Sequence, residues 1–366
     1  RLLFPARGSA TGFWRVRFEP TLTLSDRATV EIAYEHRLRA QTSEARSPLA
    51  GAVPPETEAP YRLSQLDWSL RDGGEFTWRH EVDRANVVFH PSRAAVTIGR
   101  QAIGWGRGVL FGAVDLFAPF TPLEADREWR RGVDAVRADI RLSQRSSIDV
   151  VGAFGPTVDA STAAARARGF WGDVDVEVVA GRRARDGFVG FTSSATVGGG
   201  EIHGELAAFR AQDSIPGVAP AGHVFIKGVA GGSFRLPVGN GVLVYAEYHY
   251  SGFGAARASD LSTWFAIPEL QRRYLRGDTQ ILTRHVIGVL ASYEQSPLVT
   301  YAALLVQSPR DGSGVVAPSS TLTFGDRLSL VLSVYLPYGQ PPVGGRIRSE
   351  YGLSSTSVFA QLRLYL

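Results

Sequence analysis

The side chains best placed to do chemistry gather in one stretch, 104–131. Trp105-Gly106-Arg107-Gly108 opens it, Asp115 sits between two groups of aromatics, and Glu124, Asp126, Arg127, Glu128, Arg130 and Arg131 close it. Guanidinium and carboxylate at this density either pair with one another or present charge to a solute. Pro119, Pro122 and the glycines keep the stretch from forming strand, while Phe111, Leu116, Phe117 and Phe120 need a surface to pack on. A segment folded back into an interior meets both demands, burying the rings and aiming Arg107, Asp115, Glu124, Asp126, Arg127, Arg130 and Arg131 across the space. An outward cap with surface ion pairs is the competing arrangement. The triplet Arg127, Arg130 and Arg131 tilts the expectation towards anionic solutes, because arginine grips carboxylate or phosphate in a planar fork. Glu124, Asp126 and Glu128 are close enough in sequence to cancel it.

Catalytic and metal chemistry find less support. There is no cysteine, which removes thiolate catalysis, disulfides and cysteine-ligated zinc together. The seven histidines show no HExxH or similar close spacing, and no GxSxG elbow is present. His203 and Glu205 share one face of a strand and could form a dyad, although two polar residues are expected there anyway. Gly198-Gly199-Gly200 reads as a tight turn, since no helix follows it to cradle a phosphate. The expectation is no metal, no cofactor and no enzyme, with a hydrolase assembled from distant strands as the remaining catalytic alternative.

The elements that must position these residues announce themselves by period two. Val30, Ile32, Tyr34 and Leu38 alternate with Glu31, Glu35, Arg37 and Arg39; Val174, Val176 and Val178 alternate with Asp173, Asp175 and Glu177. Leu328–Leu336 and Ala360–Leu366 repeat the pattern, and similar segments fill the chain between, seventeen in all, with 1–7 as a possible eighteenth. One helix-like stretch, Pro268–Leu275, lies between strands. Connections alternate in length. Ser25–Arg27, Pro91–Arg93, Ser143–Ser146, Gly198–Gly200, Pro237–Asn240, Glu294–Pro297 and Gly325–Arg327 are short, whereas 40–76, 104–131, 156–160, 212–222, 252–281, 309–314 and 337–350 are longer.

Strands with one apolar and one polar face, short turns at one end and long loops at the other describe a transmembrane antiparallel β-barrel of about 16–18 strands. In lipid no water satisfies the backbone, so the sheet must close on itself. The whole chain, 1–366, is then one barrel, with short turns on the periplasmic side and long loops outside. Parity lists the side chains that line the interior: Arg15, Arg17, Glu31, Glu35, Arg137, Asp139, Asp173, Asp175, Glu177, Lys227, Arg235, Glu247 and Arg363. Both signs are abundant, which fits cross-strand ion pairs or segregated arcs of charge equally well. Aromatics near strand ends, among them Phe13, Trp14, Trp78, Tyr248, Tyr335, Tyr338 and Tyr351, suit interfacial girdles.

Length and composition agree with this reading. At 366 residues with 44% hydrophobic and 20% charged residues, the chain is too polar for a helical membrane protein and too rich in aromatics to be disordered. The net charge of +4 is spread along the chain, which argues against nucleic acid, and of 39 cationic residues only Lys227 is a lysine. The lack of an initial Met or a signal-type stretch reads as a processed mature form.

The final strand, Ser357–Leu366, resembles the terminal assembly strand of Gram-negative outer-membrane barrels, with Leu366 where Phe is commonest. The segment Gly99-Arg100-Gln101-Ala102-Ile103-Gly104-Trp105-Gly106 is similar to porin-type barrels of the alginate-export group. The resemblance implies a passive channel in the outer membrane for small polar or charged solutes, with lipid around it. A homo-oligomer or a surface protein partner would be compatible. The alternatives are a partner-binding or structural barrel with a plugged lumen, and a barrel lipid hydrolase.

Overall fold

The computed structural model describes residues 8–42, 60–63, 65–124 and 129–365. The possible eighteenth strand at 1–7 lies outside them. β1 (Gly8–Phe18), β2 (Thr21–Ser25), β3 (Ala28–Gln41), β4 (Asp67–Gly73), β5 (Phe76–Phe89) and β6 (Ala94–Gln101) precede the long connection. β7 (Val133–Ser143), β8 (Ser146–Ala153), β9 (Thr162–Trp171), β10 (Val174–Arg183), β11 (Asp186–Val197), β12 (Gly200–Arg210), β13 (Val224–Leu236) and β14 (Val242–Ser251) follow it. After α1 (Leu261–Phe265) and α2 (Pro268–Leu275) come β15 (His285–Ser296), β16 (Val299–Ser308), β17 (Ser313–Phe324), β18 (Leu328–Tyr338) and β19 (Thr356–Tyr365). Pro268 opens α2, where its missing N–H would have no partner in any case.

All nineteen strands belong to one closed sheet. Two of them are not separate staves, so the wall has seventeen. β2 carries on the register of β1 against β3: Phe18 lies opposite Tyr34, and Thr21 opposite Glu31. Pro20, which cannot donate to the ladder, marks the break. β4 pairs with the part of β5 that β6 leaves bare. β6 stops early because the chain turns off the wall after Gln101. Tyr61 and Leu66 take its place: Tyr61 O accepts from Asp134 N at 2.9 Å, and Leu66 O accepts from Val82 N at 2.8 Å.

Directions alternate around the ring, and an odd number of staves cannot alternate throughout. One pair must run parallel. It is β1 with β19, from Gly8 opposite Thr356 to Arg17 opposite Tyr365, so the expected all-antiparallel order fails at this seam. The two ends differ in connection length as the sequence suggests, with two exceptions among the described residues. Gly74-Glu75 alone joins β4 to β5 at the long-loop end. β10 and β11 are joined at the long-loop end by only Ala184-Arg185, with Ala184 at φ 51°.

Alternation divides the side chains as a barrel in lipid requires. Trp14, Val16 and Phe18, then Val358, Leu362 and Leu364, then Leu332 and Leu336 face outward and are exposed. Their neighbours Arg15, Arg17, Ser357, Gln361 and Ser333 face inward and are buried. Trp14, Trp78, Tyr248 and Tyr338 lie on the exposed outer side, whereas Phe13, Tyr335 and Tyr351 are buried. Those three are therefore not girdle residues: proximity to a strand end does not decide which face a ring takes, and parity does. Among the described residues no helix is long and apolar enough to cross a membrane.

Candidate functional site

The segment after β6 lies against the inner wall and is held there by two wall carboxylates. Glu205 on β12 accepts from four backbone N–H groups, those of Arg107, Gly108 (2.8 Å), Ala113 (2.6 Å) and Val114 (3.2 Å). Glu247 on β14 accepts from Val109 (2.5 Å), Leu110 (3.0 Å) and Phe111 (3.0 Å). Seven donors that have no ladder partner are thus satisfied by two side chains, the arrangement that lets irregular backbone sit inside a barrel. Gly108 is required at its position, because a Cβ there would meet Phe111 O at 1.8 Å. Gly288 on β15 leaves room for Leu110 and Phe111, which a Cβ would meet at 2.7 and 2.8 Å. Phe111 also stacks on His249 with ring centroids 5.2 Å apart, and Trp105 Nε1 donates to Asp149 at 3.0 Å.

The candidate charges of 104–131 go to different places. Arg107 bonds Asp175 and Glu177 on β10, the latter at 3.1 Å. Asp115 accepts from Phe117 N at 3.2 Å and from Arg130, whose guanidinium also bonds Ala118 O at 2.6 Å and lies 4.9 Å from the Phe120 ring. Glu124 accepts from Thr121 N at 3.0 Å and closes a local turn. Arg131 lies within electrostatic reach of Glu81. Asp126 and Arg127 are outside the described residues. Arg130 and Arg131 therefore each face a carboxylate of their own rather than forming one basic cluster.

Of the parity-derived interior list, Asp173 and Arg235 are exposed: Asp173 lies in the β9–β10 turn, where alternation has already ended, and Arg235 near the end of β13. Glu31 accepts from Asn86 at 3.4 Å, Asp139 lies 3.8 Å from Arg137, Arg235 reaches Asn240 O at 3.5 Å beside its turn, and Arg363 sits opposite Arg15 across the seam. The charges are not segregated by sign. The division is between charged and uncharged wall: the inward positions of β15–β19 are small, apolar or hydroxyl-bearing (Gly288, Leu290, Ser292, Leu304, Ser319, Ser333), with Glu294 and Arg363 as charges near the turns.

The paired charges form three groups. On β1, β3 and β5, Glu35 joins Arg15, Arg17 and Arg37; Glu81 joins Arg37 (3.0 Å) and Arg62 (2.6 Å); Asp83 joins Arg17 (3.2 Å) and Arg84. Trp129 covers Arg17 at 4.2 Å. At the long-loop end, Asp278 meets Arg183 at 2.6 Å, Arg273 at 3.4 Å and Arg276, while Asp186 meets Arg273. Burial raises the Asp278 pKa, but Arg276, Arg183 and Arg273 outweigh it and hold the carboxyl well below its usual range. On β7–β10, Asp149 joins Arg137 (2.9 Å) and Arg166 (3.2 Å), Asp175 joins Arg107 and Arg168 (2.5 Å), and Glu177 joins Arg107 (3.1 Å) and Arg166 (3.5 Å).

The third group shows most of its cations to solvent, whereas in the second Arg276, at 23%, is the exposed member and Arg183 and Arg273 are buried. The side chains of Asp149, Glu177 and Asp175 are 1%, 3% and 9% exposed, against 20% for Arg107, 26% for Arg137 and 40% for Arg168. Short acids lie against the wall and long arginines stand over them, so what faces the interior is guanidinium.

Sequence reasoning placed Glu205 and Glu247 inside without their role, and did not single out Arg183 or Glu350, which also organise this site. Parity puts Glu205 and Glu247 inside, but nothing in the strand pattern says that a distant backbone will coil around them. His203 pairs with Glu247 at 3.0 Å rather than with Glu205, whose acceptors are all taken by the segment. Arg183, fully buried, donates to Asp115 O at 3.2 Å and Arg276 O at 2.7 Å, tying the inward segment to the α2 loop. Glu350 holds that same loop from 339–355, accepting from Leu282 N (2.8 Å) and Thr283 N (3.0 Å), and burial pushes its pKa up.

A closed sheet with an apolar outer face and a charged inner face has the fold of an integral, porin-like outer-membrane β-barrel. No family model matches the chain, and no curated protein does either. Among solved structures it is similar to OccAB1 of Acinetobacter baumannii (8% identity, 90% of this chain and 89% of that one, TM-score 0.49) and to OccK5 (OpdH) of Pseudomonas aeruginosa (9% identity, 91% of each chain, TM-score 0.49). It is also similar to Wzi of Escherichia coli, described as a carbohydrate-binding β-barrel of capsule assembly (10% identity, 90% and 80%, TM-score 0.47).

Proposed function

We propose that the barrel is a passive channel for small polar or charged solutes, with the segment 105–118 as its constriction and a preference for anions set by the wall of β7–β10. A wet lumen lowers the cost of moving a polar solute, and an inward segment filters by size and charge. The observation that carries the reading is the exposed guanidinium layer of Arg107, Arg137 and Arg168 beside that segment. Each guanidinium is oriented on one side by a buried carboxylate and keeps donors for a carboxylate or phosphate on the other. Preference for anions thus moves from the expected Arg127, Arg130 and Arg131 to arginines standing on strands and at the start of the loop. The outer face meets membrane lipid.

Planar-bilayer recording tests this. Stable open steps with an anion-selective reversal potential across a salt gradient are expected, and replacing 106–114 by a short Gly-Ser link should enlarge the step. A step of unchanged size would remove the constriction. One observation favours a second reading, a binding barrel with a plugged lumen: Phe253, Leu261, Trp264 and Leu270 are buried where α1 and α2 pack at the long-loop end. Silence at every voltage would favour it.

A further inference from the structure

The one lysine of the chain is also one of its most buried side chains. Lys227 is 1% exposed on the inner face of β13, with its ammonium 5.8 Å from the Phe209 ring, and it makes no hydrogen bond or ion pair among the described residues. It lies within electrostatic reach of Glu205, Asp115, Asp278 and Arg183. All three carboxylates have other partners: Glu205 takes four backbone donors, Asp115 takes Phe117 N and Arg130, and Asp278 takes three arginines. An ammonium without a direct counter-charge is costly in such a place.

The sheet register puts a partner beside it. Ala207 is opposite Lys227 and Glu205 is opposite Val229, so Lys227 and Glu205 are diagonal neighbours on one face. Diagonal positions are roughly 7–8 Å apart, within the span of a long side chain. In the structure both carboxylate oxygens of Glu205 accept from the backbone of 107–114 instead.

We infer that Lys227 is a positioning residue for the inward segment, the alternative partner that Glu205 takes when 107–114 leaves the wall. This rests on the constriction reading and names its regulation. With the segment seated, Glu205 is satisfied by N–H groups and Lys227 is idle against Phe209. With the segment displaced, Glu205 would be stranded without donors, and Lys227 moves across to pair with it. Glu247 keeps His203 in both states. The two states then differ by an exchange of partners at one carboxylate, not by the loss of all of them, which keeps the displaced state populated.

One measurement, repeated in the absence of the Glu205 carboxylate, separates this role from a packing role. Hydrogen exchange of the amides of Arg107, Gly108, Ala113 and Val114 is followed in the full chain in phospholipid vesicles. Lys227→Met removes the partner of the displaced state, so those amides should exchange more slowly, by roughly two- to fivefold, the size of one solvent-accessible ion pair. A lysine that only packs would change exchange by the same factor with Glu205 or without it, and unchanged or faster exchange overturns the proposal. Glu205→Gln should speed exchange, and Lys227→Met should then have no further effect, because the pair it breaks no longer exists. A persisting effect in that background also overturns it. The readout needs no conductance, so a silent bilayer would defeat the channel reading and leave this test standing.

Discussion

Two groups of charge on the same inner wall look alike in sequence and behave differently in the fold. On β1, β3 and β5, Glu35, Glu81 and Asp83 are nearly fully buried, and so are the arginines they hold: Arg15, Arg17, Arg37 and Arg84 are all below a tenth exposed. On β7–β10 the acids are as deeply buried, but Arg137 and Arg168 stand in solvent. The difference lies in the cover. Trp129, Arg62 and Gly132 close over the first group, Gly132 N donating to Asp83 at 2.8 Å. Over the second, among the described residues, stand Arg107 and the Trp105 ring, 5.4 Å from Arg166. A sealed cluster is structure: its desolvated charges are costly and must remain paired. A wet one contributes little to stability and is free to meet a solute.

Removing one member of the sealed group should be the most damaging change. Glu35→Gln leaves Arg15, Arg17 and Arg37 without their shared carboxylate, and breaking a buried network this way costs about 3–5 kcal/mol. Urea midpoints for folding into vesicles should fall accordingly; a midpoint that stays put would mean that the group is not sealed. Leu332→Arg comes next. Leu332 faces outward across from Ala360 and Ser320, and arginine near the bilayer midplane costs about 2–4 kcal/mol. An undiminished folding yield in lipid would place that residue on the wrong face.

The group at the long-loop end, around Asp278, gives a comparison in pH. The Asp278 carboxyl is held below its unfolded value of 3.8, so its contribution is present above that value and is lost as pH falls through the lowered one. Cleavage of 252–284 by an acid-active protease should therefore accelerate on acidification below about pH 4, and Asp278→Asn should give the fast rate throughout. Equal rates for the two proteins at every pH would detach Asp278 from the order of that loop.

Much of the wall was legible in the residues, because alternation is local. The segment Val30–Leu38 shows its two faces without reference to any neighbour. What alternation cannot supply is partners at long range. Nothing in Glu205 distinguishes it from Glu177, yet one holds a backbone and the other holds arginines. β4 was hidden within 40–76 because its seven residues, Asp67–Gly73, alternate weakly and serve only to fill a gap left when β6 ends. The parallel seam was equally invisible, since direction follows from the parity of the strand count and each strand carries no sign of it. Arg130 and Arg131 differ for a related reason: adjacent in sequence, they face separate acids, Asp115 and Glu81, once the chain is folded.

The smallest expected effect on stability tests the division most sharply. Arg168→Gln removes a guanidinium that is two-fifths exposed, so folding should change by less than about 1 kcal/mol. Asp175 still has Arg107, and Glu177 still has Arg107 and Arg166, so no acid is stranded by the loss. The layer facing the lumen nevertheless loses its most exposed positive head, and the reversal potential across a salt gradient should move towards cations. Arg17→Gln is the matched control, the same chemical change in the sealed group. It should lower the folding midpoint strongly and leave the selectivity of whatever protein still folds where it was. If instead both variants moved the reversal potential alike, cover would not be what separates the two groups, and the preference for anions would have to come from the net charge of the whole wall.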